Sequence, residues 1–220
     1  MKTNSMKKFL LISFVFISSI TTAQGVQYGL KGGLNFGNTQ FEISSFSVNG
    51  LIDTDIRPSL YLGGFVEFIS NSNQNRFHTG LIYRGNGFKF DANNENFIFK
   101  ISQLNVPLLF KYSVIDGFFI NAGGYFGAII DVQGEIEFRD QNTGELINES
   151  SDISNEFETL DAGLSIGVEY AVGDGFFIEA QYSYGLINIL NEEEVIFPEA
   201  SGLNASVKNR VLTAGIGYKF

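Results

Sequence analysis

The chain has 220 residues, of which 17% are charged and 44% hydrophobic, and its formal net charge is −10. A chain of this length forms one domain or one barrel, and the acidic balance argues against nucleic-acid binding, which needs a basic surface. The absence of Cys excludes a disulfide framework, a thiolate metal site and an anchor on an acylated Cys. The 25 Gly and the 15% aromatic residues favour closely packed strands over helices.

Residues 1–23 have the three parts of a secretory signal peptide. Three lysines form a basic start, residues 9–20 form an apolar run, and small residues precede the predicted cut before Gln24. This run is too short to cross a bilayer as a helix, although a short N-terminal anchor is the alternative interpretation. We therefore predict residues 1–23 as a signal peptide and residues 24–220 as the mature chain.

Eight segments of the mature chain alternate between apolar and polar residues with a period of two, as β-strands do. In chain order they are residues 27–36, 59–69, 76–85, 103–112, 118–130, 160–170, 176–185 and 211–220. On each segment one face is apolar and uncharged, whereas the other face is small, polar or charged. Pro107 lies within the fourth segment, and because proline lacks an N–H we predict a bulge there.

The connections between these segments alternate in length. They are short after the second, fourth and sixth segments, long after the first, fifth and seventh, and intermediate after the third. Tight turns on one side and loops on the other are typical of an up-and-down barrel in a membrane. We predict that residues 24–220 form an outer-membrane β-barrel domain with an all-β fold, an eight-stranded antiparallel up-and-down transmembrane β-barrel in the cell outer membrane. The competing interpretation is a soluble lipocalin-like barrel with its apolar face inside.

Aromatic residues mark the short-turn end of the apolar face on every segment. A transmembrane barrel carries aromatics at the membrane–water boundary, so these residues predict a periplasmic aromatic girdle facing outer-membrane lipid. The girdle residues are Tyr28, Phe68, Phe77, Phe110, Tyr112, Phe118, Tyr170, Phe176, Tyr218 and Phe220. The closing Tyr218-Lys219-Phe220 also resembles the terminal-Phe insertion signal of outer-membrane barrels, which implies that the last strand contacts the barrel-assembly machinery.

The polar face is predicted to line the interior of the barrel. Its charged residues are Lys31, Glu67, Arg84, Lys111, Glu169, Glu179 and Lys219, with His78 and Asp161 beside them. In a narrow barrel these charges are expected to pair across the lumen, because a buried unpaired charge is costly. Eight strands leave an interior just wide enough for side chains, which favours a filled lumen over a charged conduction path.

No catalytic site, metal site or cofactor is predicted. The single His, His78, falls on the inner face near a short turn, far from the outer leaflet where a lipid-modifying barrel enzyme would place its base. No pair of carboxylates has a spacing that suggests glycosidase chemistry. The long loops are acidic, with nine acids in residues 131–158, which favours solubility or, alternatively, the gathering of divalent cations.

Five apolar residues beyond the third and fourth segments share the inward parity and predict an apolar patch at the barrel mouth. They are Phe88, Phe90, Phe97, Phe99 and Ile101. Either a loop packs on this patch as a lid, or the patch is a docking site for a partner or an apolar ligand. The expected lid residues are Phe41 and Phe46, or Ile196 and Phe197. A bulge at Gly85 or Gly87 would invert the parity.

Five segments resemble the PorT-like outer-membrane β-barrel family of Bacteroidota. They are YGLKGGLNFG (28–37), LNVPLLFKY (104–112), NAGGY (121–125), DAGLSIGVEY (161–170) and QYSYGLINI (181–189). The family often has Arg-Tyr where this chain has Gln181-Tyr182, so one usual lumen charge is absent. The resemblance implies an eight-stranded, porin-like outer-membrane barrel and no particular activity.

From the residues and the resemblance together, we expect a structural or surface-interaction protein. The alternative is an accessory component of a protein secretion apparatus, as in the namesake of the family, with an envelope or secretion protein as partner. A lipid-modifying enzyme is the third class considered. Neither ligand nor oligomeric state follows from the sequence.

Overall fold

The computed structural model describes residues 23–38, 40–44, 49–52, 54–92, 95–139, 146–191 and 204–220. The segment predicted as a signal peptide lies outside these residues, apart from Ala23. Within them the chain is almost entirely β-strand. None of the helical turns in these ranges is long and apolar enough to cross a membrane.

Twelve strands and one short helix make up the described chain. The strands are β1 (Ala23–Gly37), β2 (Gln40–Ser44), β3 (Asn49–Ile52), β4 (Asp55–Ser70), β5 (Asn75–Ala92), β6 (Glu95–Ile115), β7 (Phe118–Arg139), β8 (Leu146–Asp152), β9 (Leu160–Gly173), β10 (Phe176–Gly185), β11 (Asn204–Lys208) and β12 (Arg210–Lys219). The 3₁₀ helix spans Ser154–Glu156.

Eight of these strands close one antiparallel barrel in the order β1-β4-β5-β6-β7-β9-β10-β12. Closure is complete because β12 pairs back onto β1, from Gly29↔Lys219 to Gly37↔Val211, and β6 pairs with β7. A closed barrel leaves no unpaired strand edge, which is the condition for crossing hydrocarbon with strands. The predicted all-β, eight-stranded antiparallel barrel is therefore confirmed. Of the remaining strands, β8 pairs antiparallel with the part of β7 beyond the barrel, and β11, β2 and β3 form a small second sheet.

The two ends of the barrel differ in the way that the loop lengths predict. At one end, β4–β5, β6–β7 and β9–β10 are joined by tight turns at residues 71–74, 116–117 and 174–175. Asp174 and Gly175 have φ angles of 44° and 86°, the left-handed values that a two-residue type I′ hairpin turn requires. At the other end, the long connections contain β2, β3, β8, β11 and the 3₁₀ helix.

The strand faces follow the predicted parity. Outward residues are exposed, for example Leu62 at 66% and Ile216 at 64%, whereas the inward Glu67 and Gln103 are fully buried. The reason is the solvent on each side: charged groups in hydrocarbon are costly, while inside the barrel they find partners. The lipocalin-like alternative, with an apolar interior, is excluded by this arrangement.

One bulge in β7 changes which residues face inward at the barrel mouth. Ser102 pairs with Asp131, but the next residue, Gln103, pairs with Ile129, so β7 contains one extra residue at this level. The inward-facing residue that follows Ile129 is therefore Val132 and not Asp131, and the side chains of Ile129 and Val132 are both buried. By contrast, β5 keeps a regular register with β6 at Gly85 and Gly87. Its inward alternation therefore reaches Phe88, which is 2% exposed.

The bulge predicted at Pro107 is wrong. Pro107 pairs with Tyr125 of β7 in regular register. On the other side, the β5–β6 pairs stop at Thr79↔Leu108 and resume in the same register at Ile82↔Asn105. The barrel thus accommodates the missing N–H as a local gap in one ladder and not as an inserted residue, because pairing on both sides of the gap holds the strand in place.

Deleting Phe220 is expected to destabilise the barrel by about 1–3 kcal/mol, since a backbone hydrogen bond and a lipid-facing ring are lost together. The Phe220 N–H donates to the Tyr28 carbonyl at 2.9 Å, and its ring packs on Tyr218 at 5.3 Å between centroids. The assembled fraction can be measured by the mobility shift of unboiled protein on a gel.

Ile216→Val is the matched control, because this residue is also lipid-facing on β12 and loses only one methylene group. Thr213, another residue of β12, would not serve as a control, because its side chain is buried and its hydroxyl donates to Asn35 Oδ1 at 2.8 Å. Equal assembly of the Phe220 deletion and the Ile216→Val variant would contradict a role for the terminal residue.

Candidate functional site: the filled lumen and its apolar lid

Glu67 is the centre of an ion-pair cluster at the short-turn end of the lumen. Its side chain is fully buried and accepts from His78 Nδ1 at 3.0 Å, from Arg76 at 3.3 Å and from Lys219 Nζ at 3.2 Å. Lys111 Nζ also donates to it. These partners come from β5, β6 and β12, so one carboxylate ties together walls on both sides of the barrel.

Glu169 is the second carboxylate of this cluster. It accepts from Lys111 and from Lys219, each at 2.5 Å, so both lysines bridge Glu67 and Glu169. Two carboxylates therefore face three permanent cations, the third being Arg76. Aromatic rings hold the excess positive charge: the Arg76 guanidinium lies 4.3 Å from the centre of the Phe119 ring, and Lys219 Nζ lies 4.9 Å from that of Phe177.

Glycines create the space that these rings occupy. A Cβ at Gly29 would lie 2.2 Å from Cζ of Phe65, and one at Gly217 would lie 2.2 Å from Cζ of Phe177. No real Cβ tolerates such an approach, so both positions need glycine for the lumen to close around its rings. Phe65 in turn stacks on His78, with 4.8 Å between the ring centroids.

A separate ion pair occupies the middle of the lumen. Glu179 of β10 accepts from Lys31 Nζ at 3.1 Å and from the Tyr61 hydroxyl at 2.6 Å. Lys31 is on β1 and Tyr61 on β4, so this layer also joins distant walls. All three side chains are buried.

The upper lumen is held mainly by hydrogen bonds. Asp161 Oδ2 accepts from Gln103 at 2.8 Å, from the Tyr125 hydroxyl at 3.1 Å and from Asn209 at 2.9 Å. Arg84, predicted as part of the charge network, donates here to Ser183 Oγ at 3.3 Å. Among the described contacts it is the one predicted lumen charge without an ion pair, because the nearest wall at its level offers a hydroxyl.

Above these layers an apolar cluster covers the barrel mouth. Its buried members are Phe88, Ile101, Ile129, Val132, Phe157, Ile189, Leu190 and Val207, and we call this set the lid cluster. Phe99 and Ile153 pack against it. The segments that cross the mouth are joined by a bridge between Phe157 and Leu190 and by the Ile189 N–H, which donates to the Val207 carbonyl at 2.9 Å.

The predicted mouth patch falls largely into this cluster. Phe88 and Ile101 are 2% and 1% exposed, and Phe88 stacks on Phe99 with 4.7 Å between the centroids. Phe97 is half-buried, and the side chain of Phe90 lies outside the described residues. The lid partners proposed from the sequence, Phe41, Phe46, Ile196 and Phe197, also have no described side chains. Among the described side chains, those that cover the mouth are chiefly Phe157, Ile189 and Val207.

The residues predicted as a girdle lie on the outer face near the tight turns. Tyr28, Phe110, Phe176 and Phe220 are 61%, 55%, 56% and 71% exposed. Some of them contact each other: Phe68 and Phe77 are 6.4 Å apart between centroids, and Phe176 and Tyr218 are 4.8 Å apart. Their contact with the membrane boundary stays a prediction.

The chemistry available in the lumen is charge pairing. His78 Nδ1 contacts Glu67, and the imidazole is 2% exposed. No group of three or more His, Cys, Asp or Glu side chains in the described ranges is arranged to hold a metal ion. Arg76, Tyr61 and Asn209 are members of the lumen network that the sequence analysis did not assign. For Arg76 the signal was available, since it shares the inward parity of His78.

Comparisons with known proteins bear on the fold. Residues 21–191 match the family model described as outer membrane protein beta-barrel domain. No curated protein sequence matches the chain.

The chain is also similar to several solved structures, at low sequence identity. The crystal structure of Neisserial surface protein A (NspA) is 14% identical, with a TM-score of 0.43, over 90% of this chain and 100% of that chain. Ail, the attachment invasion locus protein of Yersinia pestis, is 15% identical with a TM-score of 0.38, over 86% and 98%. The outer membrane protease OmpT of Escherichia coli is 11% identical with a TM-score of 0.37, over 90% and 98%.

Proposed function

The chain belongs to the outer membrane protein beta-barrel domain family, and from this premise we propose that it is a structural or surface-interaction protein with a closed lumen. It is an outer-membrane β-barrel of the small eight-stranded type. We propose further that residues 1–23 are the signal peptide that directs its export. In this role the barrel is an anchor, and the strands and loops beyond the membrane meet other molecules.

The occupied lumen is the observation that carries this proposal. Ion pairs fill the short-turn end and the middle of the barrel, and the lid cluster covers the opposite mouth. Opening a water-filled path would require side chains to move out of this network. Their partners would then stay buried and unpaired, which is costly in free energy. The same pairing supports a non-catalytic role, because the buried His78 contacts Glu67, and the buried carboxylates are paired with lysines and Arg76.

The extended strands supply the surface for interaction. Beyond the barrel mouth β7 continues to Arg139 and carries β8 on its edge. The exposed Glu149 and Asp152 of β8 make this sheet acidic. An acidic outer surface repels anionic partners and favours basic or neutral ones.

We expect no stable ion conductance when the purified protein is inserted into planar bilayers, because side chains fill the lumen at three levels and the lid cluster covers it above them. The measurement is single-channel current at moderate salt. As a positive reference, a double variant that replaces Phe88 and Ile101 with Gly should raise the frequency of brief openings if the lid cluster is one of the barriers. Long-lived openings of porin size in the unaltered protein would contradict the closed-lumen proposal.

The resemblance to PorT-like barrels supports a second candidate, an accessory role in protein secretion. The resembling segments 28–37, 104–112 and 161–170 lie on barrel strands, so they support the barrel type more directly than the role. The two candidates differ in the expected behaviour of a deletion strain. Loss of a secretion component would leave the secreted cargo inside the cell, whereas loss of a surface-interaction protein would leave secretion unchanged.

A further inference from the structure

The outer wall of the barrel contains an apolar depression of about 540 Å³. It is lined by residues of β6, β7, β9, β10 and β12, which are neighbours in the barrel. Phe110 and Tyr112 lie at its β6 end, and Tyr182 and Leu212 lie at its β10–β12 end. The barrel wall is therefore not uniformly convex: five of its eight strands contribute to one concave surface.

Small outward residues between large ones explain this shape. Ala122 pairs with Phe110 on one side and Ile166 on the other, and Ala180 pairs with Val168. Each alanine removes most of a side chain from a wall whose neighbours are bulky. The flanking Phe110 and Ile166 are 55% and 63% exposed, so they rise from the wall beside the alanines.

The depression faces the hydrocarbon of the membrane. Nine of its twelve lining residues have the outward parity and are apolar apart from the two tyrosine hydroxyls, whereas Asn121, Gly167 and Gln181 have the inward parity. Tyr112 lies at the tight-turn end of β6, just before the turn at residues 116–117. One end of the depression is therefore near the periplasmic membrane boundary, and the other end is deeper in the bilayer.

We propose that this depression binds one acyl chain of a phospholipid of the periplasmic leaflet. Five adjacent strands about 4.8 Å apart give a path of about 19 Å across the wall. A single leaflet of a bilayer with a hydrocarbon core of about 30 Å is about 15 Å deep, so an inclined path of this length suits one acyl chain. The chain gains contacts on a concave wall that a flat or convex wall does not provide, because dispersion depends on the number of close neighbours.

A second copy of the barrel fits this surface less well. In a two-fold dimer the same patch meets itself, so two concave surfaces would oppose each other and leave a void. Association within lipid depends on close packing, since the acyl chains are as apolar as the side chains. A flexible acyl chain fills the depression without that void.

The test is photolabelling of the full protein in vesicles of phosphatidylethanolamine and phosphatidylglycerol that contain a phospholipid with a diazirine on its acyl chain. Adducts are mapped by mass spectrometry after proteolysis. We expect about threefold more adducts per exposed area on the depression than on the opposite wall formed by β1, β4 and β5, because a bound chain stays in contact longer. Adducts that follow exposed area equally on both walls would overturn the proposal.

Filling the depression provides a second test. The variant Ala122→Phe with Ala180→Phe should remove the enrichment, whereas Leu62→Phe with Leu81→Phe, on the opposite wall, should leave it unchanged. Folding of both variants is checked by the mobility shift of unboiled protein. Unchanged enrichment in the filled variant, or a cross-linked dimer that only the filled variant loses, would overturn the assignment to a lipid chain. The wild-type adduct map decides the question even if the filled variant does not assemble.

Discussion

Replacing Glu67 with Ala is expected to lower the free energy of unfolding of the barrel by about 3–5 kcal/mol, because a buried charge network loses its central anion. Lys111 and Lys219 would then share Glu169 alone, and Arg76 would lose its carboxylate partner. The measurement is urea-induced unfolding of the reconstituted protein, followed by far-UV circular dichroism, since the chain contains no Trp.

The matched control for this variant is Glu135→Gln. Glu135 pairs with Lys100 on the outer face, and the Lys100 side chain is 38% exposed, so the expected change in unfolding free energy is about 1 kcal/mol or less. A double variant, Glu67→Ala with Lys111→Met, removes one cation together with the anion and is expected to recover part of the lost stability. Equal destabilisation by Glu67→Ala and Glu135→Gln would contradict the central role of Glu67.

Replacing Phe88 with Ala is expected to lower the free energy of unfolding by about 3–5 kcal/mol, because it leaves a cavity in the lid cluster. Phe88 is 2% exposed and stacks on Phe99 in the middle of that cluster. The same urea titration measures the effect. Native-state hydrogen exchange adds a local readout, since the Ile189 N–H, which donates across the mouth, should exchange faster.

The control for the lid is Leu146→Ala on β8, a residue that is 66% exposed and lies beyond the barrel. This substitution should change the unfolding free energy by less than about 0.5 kcal/mol. If Phe88→Ala leaves both the stability and the exchange of Ile189 unchanged, the lid cluster does not hold the mouth closed. If it loses stability but the mouth segments stay protected, the lid is held by its backbone bonds instead.

The lumen combines two strategies for burying charge in a narrow space. Each carboxylate of the lower cluster has at least two cationic partners, and aromatic rings receive the surplus positive charge of Arg76 and Lys219. The middle layer uses one ion pair with a tyrosine hydroxyl. Because partners come from strands on different walls, each layer also fixes the cross-section of the barrel.

Most of the candidate site could be placed from the sequence, but its contacts could not. The seven predicted lumen charges are all buried, since their parity on the strands gives the face. Their hydrogen-bond and ion-pair partners depend on the register between neighbouring strands. Arg84 lies at the level of Ser183, and not of a carboxylate, for this reason. Likewise Pro107 was expected to bulge, because a single strand does not reveal the pairing on both of its sides.

The sequence by itself determined the eight strands, the closed antiparallel barrel and the face that each side chain of the eight predicted segments occupies. These follow from local alternation and from the cost of placing charge in hydrocarbon, which acts on each residue separately. Only the tertiary structure decided that Glu67 joins Lys111 and Lys219, and that Phe157, Ile189 and Val207 cover the mouth. Those contacts join residues far apart in the chain, and register, closure and the bulge in β7 are properties of the whole sheet.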